Sequence, residues 1–185
     1  MKKITRGILG LALGGALMVG VFAADTDRPG QVDFGKLVPS AHGEFVEVNI
    51  SGNLLGIAAR LAAKHEPDAA ELLRGLQSVR VNVLGLDDLN RSVTDERIKT
   101  LRTELDAKGW ERVVTVKEKG QDVGVFIKTR GQDTVEGLVV TVIEGNKQAV
   151  LVNIVGAIQV EQIAKLADKL HLDPLKKVAE AIEKK

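Results

Sequence analysis

Three asparagines stand at equivalent places in three short β-branched runs, and their type and spacing give them the best claim to bind something. Each run reads Val-Asn-(Ile/Val)-x-Gly: Val48, Asn49, Ile50 and Gly52; Val81, Asn82, Val83 and Gly85; Val152, Asn153, Ile154 and Gly156. A carboxamide carries two donors and one acceptor oxygen in a single plane. If the runs are strands lying side by side, Asn49, Asn82 and Asn153 converge at one sheet edge, where α/β folds often hold ligands. The plainer reading is local, since asparagine at a strand end bonds readily to loop backbone or faces water. The matches are too short to establish an internal duplication.

Other chemistries have thinner support. His42, His65 and His171 are scattered without the spacing of zinc ligands. The chain has no cysteine, and none of Ser40, Ser51, Ser78 and Ser92 sits in a Gly-x-Ser-x-Gly elbow. Asp87, Asp88 and Asn90 lack the alternating oxygen ligands and closing glutamate of a calcium loop, so they read as a polar turn. Glu66 and Asp68 flank Pro67, where acids suit the positive end of a helix dipole. No catalytic residue, no metal ligand and no cofactor is expected. An enzyme remains a secondary reading.

The elements that would position the asparagines follow from hydrophobic period. Glu44–Ile50 and Ser78–Leu84 read as strands. Between them lie a helix from Asn53, with Leu54, Leu55, Ile57, Ala58 and Leu61 at helical spacing, and a short helix after Pro67. Ser92 with Asp95 resembles a capping box opening a helix to Lys108, with Ile98, Leu101 and Leu105 as its apolar stripe. After Gly109 come four strand patterns, Trp110–Lys117, Asp122–Thr129, Thr134–Ile143 and Gln148–Val155. Turns at Lys119-Gly120, Arg130-Gly131 and Gly145-Asn146 separate them and predict an antiparallel meander. Helices at Val160–Leu170 and after Asp173 close the chain. The expected fold is α+β: a two-layer sandwich with a mixed, mainly antiparallel sheet of about six strands and helices packed on one face. The early strand–helix–strand units imply parallel crossovers.

The first 23 residues read as an address. Lys2, Lys3 and Arg6 precede an uncharged apolar run from Gly7 to Phe22, and Val21 with Ala23 gives the small-x-small pattern of signal peptidase. Cleavage near Ala23 would leave a periplasmic or secreted protein with no stable membrane anchor. Residues 24–43, with Pro29, Gly30, Gly35, Pro39 and Gly43, form an irregular lead-in, whose Phe34 and Leu37 are poor choices for a free tail. Residues 44–185 form the single α+β domain. Lys and Arg number 26 against 25 Asp and Glu, and the leader takes three positive charges with it. A near-neutral chain with few aromatics does not suit nucleic acid, which demands clustered cations and stacking rings.

Several segments together resemble a bacterial domain-of-unknown-function family, number four-two-five-two. They are Asp33-Phe34-Gly35-Lys36-Leu37, Phe45 to Ile50, Ser78 to Val83, Gly109-Trp110-Glu111, and Val152 to Gly156 before Gln162-Ile163-Ala164-Lys165-Leu166. The resemblance spans about Gln31 to Leu170. It implies a small exported protein and a fold type, and it brings no catalytic residues. Some members look like lipoproteins, and the absence of cysteine departs from that pattern. The expected function is therefore an exported, non-catalytic protein-binding or regulatory domain that meets a partner or itself through a sheet face or edge. The alternatives are a small-ligand binder or enzyme at the asparagine edge and a structural oligomer subunit of the envelope.

Overall fold

A computed structural model describes residues 28–159, apart from 42, 132 and 133, together with 162. The signal-peptide reading, the two C-terminal helices, His42 and His171 lie outside the described residues. The elements run β1 Phe45–Ser51, α1 Gly52–Ala62, α2 Pro67–Gly75, β2 Leu76–Gly85, α3 Arg91–Ala107, β3 Glu111–Glu118, β4 Gln121–Arg130, β5 Thr134–Glu144 and β6 Gln148–Gln159. The strands form one open six-stranded sheet ordered β1-β2-β6-β5-β4-β3. The fold is an α+β sandwich, and the glycines of the meander turns take positive φ as expected at Gly120, Gly131 and Gly145.

Two finer features differ from the sequence reading. Every described strand pair is antiparallel. The α1–α2 hairpin leaves β1 and returns beside it, so Ser51 pairs with Ser78, and β2 runs back along β1. Alternation along the sheet then makes β2 and β3 run the same way, with β6, β5 and β4 between them. Helix α3 makes that crossover. Second, the chain places helices against both faces. Ile98, Leu101 and Leu105 of α3 pack with Leu84, Phe126, Val139 and Leu151. Leu55 of α1 and Leu72 of α2 join the opposite cluster with Val125, Leu138, Ile154 and Ile158.

The side chains explain this layering. In antiparallel pairs, directly opposed residues share a face. On the α1–α2 side two full rows of valine cross all six strands: Val48, Val81, Val152, Val140, Val125 and Val114, then Val46, Val83, Val150, Val142, Val123 and Val116. With both faces partly apolar, β5 and β6 lack the clean alternation of a one-sided sheet. β6 also continues past its expected end at Val155, pairing Gln159 with Thr134 of β5. Gly156 lies inside that strand, at φ +157°. A Cβ there would come 2.4 Å from the Gly75 carbonyl oxygen and 2.6 Å from Leu76 Cα. Glycine lets α2 and β6 meet backbone to backbone.

Helix starts also shift. α1 begins at Gly52 with Ser51 at the N-cap, ahead of Asn53, because β1 runs directly into it. α3 begins at Arg91, ahead of the Ser92 box. The turn before it sets this start. Asp87 Oδ1 accepts from the Leu89 and Asn90 amides, and Asn90 Oδ1 accepts from the Asp87 amide. Asp95, freed from capping, pairs with Arg91 at 2.8 Å.

Candidate functional site

The sheet register places all three asparagines on the α3 side of the sheet. Asn49 of β1 opposes Arg80 of β2, which opposes Asn153 of β6. Asn82 lies in the next row on that face, between Glu47 and Leu151. The residues do converge, but they do different things.

Asn153 is buried, and its carboxamide is fully engaged. Its Oδ1 accepts from the Val32 amide at 3.0 Å, while its Nδ2 donates to the carbonyls of Gly30 at 2.9 Å and Leu138 at 3.2 Å. It thereby ties the lead-in segment to the sheet. Arg97 of α3 helps by donating to the Phe34 carbonyl at 2.7 Å, and Asn90 donates to the Val38 carbonyl at 3.1 Å. Val32 and Phe34 are buried as a result. Asn49 is exposed; its Oδ1 accepts from Arg80 Nε at 3.0 Å and its Nδ2 donates to Glu47 at 2.8 Å. Asn82 is buried, with its Oδ1 unpaired among the described residues.

Beside the Asn49–Arg80–Asn153 row lies a cavity of about 240 Å³. Arg80, Ser51, Ser78 and Gln77 belong to its sheet side, and Arg28 and Gln31 of the lead-in form the other wall. No carboxylate and no aromatic ring lines it. Arg80 and Arg28 escaped the sequence reading. Arg80 looked like the solvent side of an alternating strand, and only the β1–β2 register brings it between two asparagines and above the Ser51–Ser78 pair. The asparagine pattern itself does not mark shared strand exits, since Gly52 opens a helix, Gly85 ends a strand and Gly156 lies within one.

The ordered core of this sheet coincides with a sequence signature. Residues 40–166 match the family described as Domain of unknown function (DUF4252). The chain belongs to that family. Neither the curated proteins nor the solved structures give a match. The DUF4252 match contains every described strand and helix, and with them Asn49, Ser51, Ser78, Arg80 and Asn153. Arg28, Gln31 and the Gly30 and Val32 backbone gripped by Asn153 precede it. The cavity therefore joins the DUF4252 sheet to a wall from outside the matched segment.

A second surface lies at the opposite boundary of β1. Phe45 and Val48 are 42% and 38% exposed, and in α1 Leu54, Ile57 and Leu61 are 54%, 46% and 74% exposed. The last three follow i, i+3, i+7 spacing and form an outward apolar stripe, while Leu55 and Ala59 form the inward one. A helix apolar on both sides suits burial on both sides. Among the described residues no three His, Cys, Asp or Glu side chains stand where they could hold a metal ion.

Proposed function

We propose that this DUF4252 chain is an exported, non-catalytic protein-binding domain that works through its β1 edge, and that the partner fitting this edge is a second copy of the chain. The observation that carries the reading is the contrast between the two sheet edges. β3 is guarded as exposed edges usually are, by Glu111, Arg112, Lys117 and Glu118 and by a register shift between Arg112 and Val114. β1 has no lysine, arginine, proline or register shift. Its single charge is Glu47.

The sequence of β1 is also self-complementary. Antiparallel pairing about a two-fold axis at Val48 sets Val46 opposite the second copy's Ile50 and Glu47 opposite its Asn49. Apolar meets apolar, acid meets amide, and no like charges oppose each other. The α1 stripes of the two copies then flank the extended sheet. Export is supported by the basic start, the apolar run Gly7–Phe22 and the Val21-x-Ala23 ending. Among the described residues no helix is long and apolar enough to cross a membrane.

Light scattering on the size-fractionated protein tests the reading. A particle of twice the chain mass is expected. Val48→Lys should convert it to a monomer with unchanged circular dichroism, because a lysine at the axis faces its own copy. A strict monomer in both proteins, or a dimer indifferent to Val48→Lys, refutes it.

A further inference from the structure

We propose that the cavity between β1–β2 and the lead-in segment is a binding site for a small anion, with Arg80 as its principal recognition group. The inference is independent of pairing through β1.

The first argument is charge. Arg80 and Arg28 both line the cavity, and neither has an ion-pair partner among the described residues. Arg80 is partly buried, whereas Arg28 is exposed; the other partly buried arginines among the described residues are neutralised, Arg91 by Asp95, Arg97 by Glu104 and Arg102 by Asp122. Two like charges facing one cavity repel, and a bound anion turns that repulsion into attraction on both sides.

The second argument is aim. Arg80 uses Nε on the Asn49 oxygen, which fixes the guanidinium plane and leaves its terminal N–H groups for a carboxylate or phosphate fork. Asn49 is thus a positioning residue, and Asn153, whose amide is fully engaged with backbone, holds the wall carrying Arg28 and Gln31.

The third argument is the fringe. Ser51 and Ser78 hydroxyls and Gln31 and Gln77 amides complete the lining, suiting a ligand with hydroxyls around its charge. Helix α1 starts directly after Ser51, with no acid in its first turn and no side chain capping it. With no aromatic lining there is no platform for a base or sugar face. The ligand class is a small hydroxylated acid, carrying either a carboxylate or a phosphate ester.

Amide chemical shifts of the purified protein, titrated with glycerol 3-phosphate, glycerate and neutral glycerol, decide the matter. Saturable shifts at Ser51, Ser78 and Arg80 are expected with at least one anion and none with glycerol. The stronger of the two anions identifies the headgroup. Arg80→Gln should weaken binding about tenfold or more, as expected for loss of a charge-assisted fork, and Arg28→Gln should weaken it with the lead-in still docked. Equal response to glycerol, no saturable response to either anion, or binding indifferent to both substitutions overturns the proposal.

Discussion

Removing the Asn153 carboxamide tests whether the repeated pattern around the three asparagines hides one structural residue among them. Asn153→Ala deletes three hydrogen bonds in one step, to the Val32 amide and to the Gly30 and Leu138 carbonyls, all of them buried. A typical intramolecular hydrogen bond is worth about 1 kcal/mol net, so the bonds account for about 3 kcal/mol, and each stranded buried group can add about 1 kcal/mol more where water does not reach it. The expected loss is therefore about 3–6 kcal/mol, a large share of the stability of a domain this size. Asn49→Ala, at an exposed position, should lose less than about 1 kcal/mol. Asn82→Ala, whose oxygen has no described partner, should also stay within about 1 kcal/mol, because little bonding is lost. Urea unfolding gives the magnitudes, and amide exchange over residues 29–38 shows whether the lead-in has come loose. An Asn153→Ala protein that loses under about 1 kcal/mol and keeps the lead-in protected would refute the clamp.

Two glycines should respond oppositely to alanine. At Gly156 the new methyl meets Gly75 and Leu76 backbone at 2.4 and 2.6 Å, so Gly156→Ala should destabilise by about 2 kcal/mol or more; a neutral thermal melt would contradict the packing. At Gly56, inside α1, the nearest atom is the flexible Arg60 end at 3.9 Å, so Gly56→Ala should stabilise by about 0.5–1 kcal/mol, seen as a raised melting temperature. Asp87 has its pKa lowered, chiefly by the Ser40 hydroxyl and then by the Asn90 amide. A depressed folded pKa means stability present above the unfolded value, about 3.9, and lost as pH falls through the lower folded value. Asp87→Asn should therefore flatten the acid limb of a stability–pH curve, and an unchanged limb would show that the turn before α3 is not pH-linked.

The meander was readable because its signals are local. β4 and β5 are joined at Arg130-Gly131 and β5 and β6 at Gly145-Asn146, where a glycine with positive φ states the turn directly. The pairing of β2 with β6 was not readable, since Val79, Val81 and Val83 look the same whether their strand lies at an edge or inside a sheet. That pairing is a long-range choice, made when Gly75 and Gly156 allow α2 and β6 to approach. The end of β6, expected at Val155, lies further on for the same reason: Gly156 permits close contact within the strand and does not end it. In the site, the positions of Asn49, Asn82 and Asn153 were legible and their roles were not. An exposed amide, a buried amide with an unpaired oxygen among the described residues and a saturated clamp are identical letters, distinguished only by what the register and the lead-in place against them.

The lead-in links these observations. It carries no regular element, yet it is held along its length by side chains from three parts of the fold: Asn153 on β6, Arg97 on α3 and Asn90 at the α3 start. An irregular segment has no backbone ladder of its own, so its buried amides and carbonyls require such partners. Holding it flat against the α3 side covers Val32 and Phe34 and sets Arg28 and Gln31 facing Arg80. A cavity wall built this way is only as rigid as its clamps. The stability of the clamp and the affinity of the cavity should then fall together at Asn153 and separate at Arg80, where charge is lost and the clamp is untouched. That separation is what distinguishes a binding site from a gap left by packing.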